Sequence, residues 1–283
     1  MRIRPSSQER RSDFCIFFFC FSIHSNNITK CLYTYFFNVK DWKGGIKLDK
    51  IKTYISDLDD LLGGGMPAKS VVLVSGSAGT CKTTLALQFL FGGSINDDET
   101  TILFTLNEHE VKLVESFKQF SFFKENLIQN SKMLIIDIRT SMPVKSKRKD
   151  LFTSEEVLSF IYEQLDEYKP KRIVIDSISA ICKRLDDGEN VRKFLFDLGN
   201  MLMIKNCTAI LISEVEPGQR KYSNFGVEEF ICDGIIYLSH LEKGNRLRKT
   251  LQVVKMRGSS HSEEQFLLNI APEGIKLLKM VDN

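Results

Sequence analysis

The sequence predicts an α/β fold: a mainly parallel, doubly wound sheet with an antiparallel C-terminal extension. Three observations carry that expectation. From residue 70 onward, short β-branched runs alternate with amphipathic stretches, as in strand–helix–strand units whose crossovers impose parallel pairing. The first run leads through a glycine-rich turn directly into an apolar helical stretch. After residue 230 the helical stretches stop and strand runs follow one another closely, which favours antiparallel neighbours.

The parallel strands are expected at Val71–Ser75, Thr101–Leu106, Met133–Ile138, Arg172–Asp176 and Thr208–Ser213. The antiparallel ones are expected at Ile235–Leu241, Leu247–Met256 and Gln265–Ile270. Between them, Thr153-Ser-Glu-Glu156 has the form of a capping box, in which a threonine side chain and a glutamate three residues on satisfy each other's backbone N–H groups. Val157, Leu158, Ile161 and Leu165 then fall on one helical face, and Pro170 stands beyond the helix end.

The first strand runs into Gly76-Ser77-Ala78-Gly79-Thr80-Cys81-Lys82-Thr83-Thr84 and then the helical stretch Leu85–Phe91. This is a phosphate-binding loop in its required context, because backbone N–H groups and a helix N-terminus together cradle anionic oxygens. Lys82 is expected to neutralise the β- and γ-phosphates of ATP, and the Thr83 hydroxyl to ligate Mg²⁺. Cys81 stands where the consensus has glycine, and its small side chain is expected to be tolerated by pointing away from the phosphates.

Arg172-Ile-Val-Ile-Asp-Ser177 ends a buried strand on a carboxylate. Alone, such an aspartate is a helix cap; about a hundred residues after a phosphate loop, Asp176 is the candidate second Mg²⁺ ligand. Thr101-Ile-Leu-Phe-Thr-Leu-Asn-Glu108 brings another carboxylate to the same edge, where Glu108 would orient a water for attack on the γ-phosphate. The competing reading puts Glu108 or Glu110 in the first turn of the next helix, favoured there by the dipole. Ser213 and Glu214 either sense the γ-phosphate or cap a loop.

These segments, together with Tyr54-Ile-Ser-Asp-Leu-Asp-Asp-Leu-Leu-Gly-Gly-Gly65, Phe225-Gly-Val-Glu-Glu-Phe230 and Lys255-Met-Arg-Gly-Ser-Ser-His261, resemble in content and order a KaiC-type ATPase. That family is related to the RadA recombinases of the RecA superfamily. The resemblance covers residues ~50 to 278. It implies a RecA-like P-loop core that assembles into homo-oligomeric rings, usually hexamers, with ATP and Mg²⁺ between subunits. The family's paired glutamates fall on Asn107 and Glu108, so one carboxylate is missing and hydrolysis is expected to be slow. Lys255 and Arg257 fall on residues presented to the neighbouring subunit's γ-phosphate, and His261 on a position near the nucleotide.

The basic stretches Lys145-Ser-Lys-Arg-Lys149 and Arg220-Lys221 lie in loops, the second where related recombinases carry a DNA-contacting loop. With a net charge of +3, any nucleic-acid surface must be local. Residues 1–50 hold no counterpart of the helix-hairpin-helix module of full recombinases, so a principal strand-exchange role is not expected. The expected function is a slow, ring-forming ATPase acting as a regulator or as a DNA recombination and repair accessory protein, with single-stranded DNA or a RadA-type recombinase as candidate partners. The alternatives are a nucleotide-gated binding module with negligible hydrolysis, or a KaiC-like autokinase.

Residues 46–283 are expected to form the ATPase domain and 1–45 an N-terminal extension. The basic Met1–Arg11 stretch before the apolar run Phe14–Ile23 has the order of a secretory signal. The run is shorter than the ~20 residues that cross a bilayer, and no small-x-small cleavage site follows. A second apolar patch, Leu32–Phe37, is followed by a linker containing Gly44 and Gly45. The extension is either an appendage on the core or on a membrane surface, or translated sequence upstream of the true start. The second is favoured because the aromatic run shows no helical or strand periodicity. Seven scattered cysteines without CxxC spacing point to reduced thiols, and the ATP requirement to the cytoplasm, with no integral membrane partner.

Overall fold

The computed structural model describes residues 14–18, 34–38, 49–142, 151–185, 191–217 and 221–280. The chain divides into two units, Met1–Leu48 and Asp49–Asn283. In the first, β1 (Phe14–Phe18) pairs antiparallel with β2 (Thr34–Asn38), Phe14 opposite Asn38 and Phe18 opposite Thr34. The aromatic run thus forms a strand although it shows no strand periodicity. A run apolar on both faces has no alternation to reveal it, and aromatic β-propensity is then the signal. The linker around Gly44 and Gly45 lies outside the described residues.

The second unit opens with a short ribbon of β3 (Lys50–Ile51) and β4 (Met66–Pro67) enclosing α1 (Ser56–Leu61). Its parallel part follows as β5 (Val71–Gly76), α2 (Lys82–Asn96), β6 (Thr101–Thr105), α3 (Glu110–Phe117), α4 (Glu125–Gln129), β7 (Met133–Asp137) and α5 (Ile138–Ser141). It continues through α6 (Ser154–Tyr168), β8 (Arg172–Asp176), α7 (Ile178–Cys182), α8 (Val191–Ile204), β9 (Thr208–Glu214) and α9 (Glu228–Ile231). The antiparallel strands are β10 (Gly234–Lys243), β11 (Arg246–Met256), β12 (Gln265–Ala271) and β13 (Gly274–Lys279).

One nine-stranded sheet results, in the order β13-β12-β11-β10-β5-β9-β8-β6-β7. Neighbours from β10 to β7 are parallel, and those from β10 to β13 antiparallel. β13 is the strand the sequence reading missed, although Ile275 and Leu277 alternate with Lys276 after the Gly274 turn. The capping box forms as expected: Thr153 Oγ accepts from Glu156 N–H at 3.2 Å, and the Glu156 carboxylate accepts from Thr153 N–H at 3.0 Å. Such a cap stabilises a helix by about 1 kcal/mol. Val157, Ile161 and Leu165 of α6 are buried together with α7 and α8 against one face of the sheet, while α2 packs on the other.

A buried cation fixes the far end of α2. Arg172, 1% exposed, donates to Glu99, to Asp97 at 2.5 Å and to the Lys52 carbonyl at 2.5 Å, and its guanidinium lies over the Tyr54 and Phe89 rings. A buried arginine is tolerable only when paired in this way. It fits because α2 carries Gly93, where an added Cβ would come within 2.2 Å of Arg172 Nε.

Candidate nucleotide site

The loop after β5 is shaped by contacts that its residue types require. Gly76 has φ 154°, and a Cβ there would sit 2.1 Å from the Leu238 carbonyl of β10, so only glycine allows the strands this close. The Thr80 hydroxyl donates to Ser77 O at 2.8 Å, closing the Ser77-Ala78-Gly79-Thr80 turn. Cys81 is the N-cap of α2 at φ 75°, ψ 30°, the left-handed region, with its thiol toward Gly79 O at 3.7 Å. The consensus glycine at this position thus reflects backbone conformation rather than space. No side chain caps α2, so its leading N–H groups, including those of Lys82, Thr83 and Thr84, face the loop. Lys82 folds back across it, donating to Gly76 O at 3.0 Å and Ser77 O at 2.8 Å.

Thr83 Oγ1 donates to Asp176 Oδ2 at 2.7 Å, joining the start of α2 to the end of β8. Asp176 is 8% exposed. Burial pushes its carboxyl from the ordinary 3.8 up to about 6, against the Thr83 hydrogen bond and the Lys82 charge, with Glu214 and Glu108 adding to the rise. Burial also lowers the Lys82 ammonium, which Glu214 and Asp176 oppose. Two carboxylates, Asp176 and Glu214, therefore act on one lysine at the carboxyl edge of the sheet. A threonine hydroxyl beside a buried carboxylate is a hard-oxygen donor set that fits Mg²⁺. Among the described residues no group of three or more His, Cys, Asp or Glu side chains is placed to hold a metal by itself. Mg²⁺ on a nucleotide needs only one or two protein oxygens beside phosphate and water.

At the end of β6, Thr105 Oγ1 accepts from Glu108 N–H at 3.3 Å and donates to Glu108 O at 3.2 Å, a tight turn that leaves the Glu108 side chain exposed. Because α3 starts at Glu110, the dipole-stabilised position belongs to Glu110, and Glu108 lies ahead of the His109 N-cap. Asn107 Nδ2 donates to Ser177 Oγ at 3.3 Å, which lies 3.1 Å from Ser179 Oγ. Ser179 Oγ in turn accepts from Glu214 N–H at 3.2 Å. A chain of hydroxyls thus links the ends of β6, β8 and β9. Of the pair left open at the end of β9, Ser213 donates to Glu228, the first residue of α9, at 3.3 Å, whereas Glu214 bears on Lys82.

Lys255, Arg257 and His261 are not brought to this loop. Ile235 is level with Leu73 on one side and Lys255 on the other, so Lys255 lies two strands across and three positions back from Gly76. That is about 10 Å along the strands and about 10 Å across them. Lys255 Nζ donates to Glu229 O at 2.9 Å and Cys232 O at 2.7 Å. Arg257 pairs with Asp233 at 3.5 Å, and His261 follows it, its Nδ1 3.2 Å from Ser262 O.

Two residues at the site escaped the sequence reading. His240 of β10 lies with Nδ1 3.4 Å from Ser77 Oγ, two positions beyond Leu238, the partner of Gly76. The pairing of β10 with β5 is what brings it there, and no local motif announces that. Glu228, a carboxylate only 1% exposed, lies in the Phe225–Phe230 segment, where the sequence alone assigns it no role. Of the basic stretches, Lys221 is exposed, while Arg220 and Lys145–Lys149 lie outside the described residues. Tyr222 packs edge-on against Tyr237 at 5.3 Å.

A phosphate loop with its hydroxyl and carboxylate partners, at the carboxyl edge of a parallel sheet with an antiparallel wing, defines a RecA-type P-loop ATPase domain. The profile of the KaiC ATPase family matches residues 51–281, and the chain belongs to that family. It is 29% identical over 241 residues to the circadian clock oscillator protein KaiC of Acaryochloris marina, covering 85% of this chain and 46% of that one. A UPF0273 protein of Methanocaldococcus jannaschii is 33% identical over 244 residues, which is 82% of this chain and 100% of that one. The crystal structure of a KaiC-like protein from Pyrococcus horikoshii aligns with a TM-score of 0.71 at 33% identity, over 81% of this chain and 99% of that one. The chain therefore spans about half the length of the clock protein and the full length of the archaeal relatives.

Proposed function

We propose that this chain is a ring-forming, Mg²⁺-dependent ATPase with slow turnover that serves a regulatory role, each ATP being held by one subunit and completed by the next. The observation that carries this reading is the separation of Lys255 and Arg257 from the phosphate loop of their own chain across the sheet. Two cationic side chains at that end can meet a γ-phosphate only on a neighbouring copy.

Within one subunit, Lys82 exchanges the Gly76 and Ser77 carbonyls for phosphate oxygens. Thr83 and Asp176 are the residues that would hold Mg²⁺, which supplies charge neutralisation at the β- and γ-phosphates when bound. Glu108 orients a water and accepts its proton as the water oxygen bonds to the γ-phosphorus and the bond to the β–γ bridging oxygen breaks, leaving ADP and phosphate. Lys255 and Arg257 of the neighbour stabilise the charge spreading over the γ-phosphoryl oxygens. Slowness follows from Asn107, which offers an amide to Ser177 where the family has a second carboxylate.

The regulatory role is favoured over DNA recombination or repair because Tyr222, the aromatic beside the basic pair, is already engaged edge-on by Tyr237 and only 38% exposed. No helix of the described residues is long and apolar enough to cross a membrane, and a cytoplasmic location follows from the use of ATP. Phosphate release with Mg²⁺ and ATP tests the reading. Turnover in the wild type that is lost in Lys82→Ala and in Glu108→Gln supports it. A wild-type rate no greater than that of Lys82→Ala contradicts it and leaves a nucleotide-gated binding module.

A further inference from the structure

We infer that Glu228 is a positioning residue for Lys255, linking through α9 the nucleotide edge of one subunit to the cation that subunit presents to the next. The inference rests on the reading that Lys255 acts on a neighbour's nucleotide.

Glu228 is almost fully buried, and a carboxylate in that position is costly unless its oxygens are satisfied. They are satisfied by hydroxyl and amide donors: Ser213 Oγ at 3.3 Å, Phe225 N–H at 3.3 Å and Val227 N–H at 3.1 Å. Ser213 also accepts from Asn224 N–H at 3.4 Å, so the end of β9 and the loop before α9 are bound into one unit. Ser213 adjoins Glu214, whose charge bears on Lys82 and Asp176. At the other end of α9, the Cys232 N–H donates to Glu228 O at 3.0 Å. The carbonyls of Glu229 and Cys232 there hold Lys255 Nζ at 2.9 and 2.7 Å.

A four-residue helix has too few internal hydrogen bonds to stand alone, so its place is set by the packing of Val227, Ile231 and Cys232 on the core and by what grips its ends. One grip is the Glu228 carboxylate on β9; the other is the pair of carbonyls on Lys255. A glutamine at 228 would turn an amide N–H₂ toward N–H donors and loosen the first grip without touching any residue of the phosphate loop. The Lys255 ammonium would then lose its fixed bearing toward the next subunit while ATP binding stayed intact.

Mixed assemblies of full-length chains test this. Lys82→Ala subunits have no working phosphate loop but present an intact Lys255. Lys255→Ala subunits have the reverse defect, and mixing the two is expected to restore turnover. Glu228→Gln alone is expected to lower turnover roughly tenfold, with ATP affinity within about twofold of wild type. Mixing it with Lys82→Ala is expected to restore turnover as Lys255→Ala does.

If Lys255→Ala is rescued and Glu228→Gln is not, Glu228 acts inside its own nucleotide site and the inference is overturned while the trans reading stands. If neither is rescued, the trans reading falls and takes the inference with it. Should Glu228→Gln not assemble, Ser213→Ala, which removes one donor to the carboxylate, decides the matter. A loss rescued by Lys82→Ala supports the inference, whereas no loss, or an unrescued one, overturns it.

Discussion

The Thr83 hydroxyl donates a 2.7 Å hydrogen bond to the Asp176 carboxylate, joining the first turn of α2 to the end of β8. Placing Asp176 there is unfavourable in the nucleotide-free protein, because burial holds its carboxyl near 6 rather than 3.8. A raised carboxyl stabilises the fold fully below its unfolded value and loses that contribution as pH rises through the folded one. The shift corresponds to about 3 kcal/mol lost between about pH 4 and pH 6. In EDTA without nucleotide, Asp176→Asn should therefore gain stability relative to wild type across that window, with the gap levelling off above it. A gap independent of pH would show that Asp176 is compensated by its neighbours. The same variant should lose the Mg²⁺ dependence of ATP binding, measured by titration with and without the metal.

Cys81 occupies the left-handed backbone region, where a side chain costs on the order of 1 kcal/mol or more. Cys81→Gly is expected to raise the stability of the nucleotide-free protein by about 1 kcal/mol, seen as a higher urea midpoint at unchanged slope. An unchanged or lowered midpoint would mean that the thiol's packing outweighs the relief of the backbone.

Gly93 lies inside α2, where propensity alone favours alanine by about 1 kcal/mol. The structure reverses the sign, since a Cβ there would come within 2.2 Å of Arg172 Nε and 2.5 Å of its Cδ. Gly93→Ala is expected to destabilise by about 2 kcal/mol or more, by forcing the buried guanidinium off Asp97 and Glu99. Thermal unfolding that showed alanine stabilising would sink this account of the buried arginine.

Much of this was legible in the sequence, and for physical reasons. β5, the phosphate loop and α2 are contiguous, so their order of residue types states their geometry directly. Asp176 ends an apolar run, and the strand register delivers it to Thr83. Residues whose role depends on pairing between distant segments were not legible. His240 reaches Ser77 because β10 lies beside β5, and Glu228 meets Ser213 across a loop of fourteen intervening residues. Lys255 and Arg257 were assigned through a family resemblance. Their distance from their own phosphate loop became visible only once the antiparallel register of β10 and β11 was in hand. β1 was missed because five residues apolar on both faces conceal a period of two.

The claim that matters most is that the nucleotide site is completed by a second copy, and turnover per subunit as a function of protein concentration tests it directly. Followed with sedimentation on the same samples, specific activity is expected to rise with the assembled fraction and approach zero where the chain is monomeric, while ATP binding to monomers persists. Specific activity that stays constant down into the monomeric range would contradict the account, because one chain would then hold every group its chemistry needs.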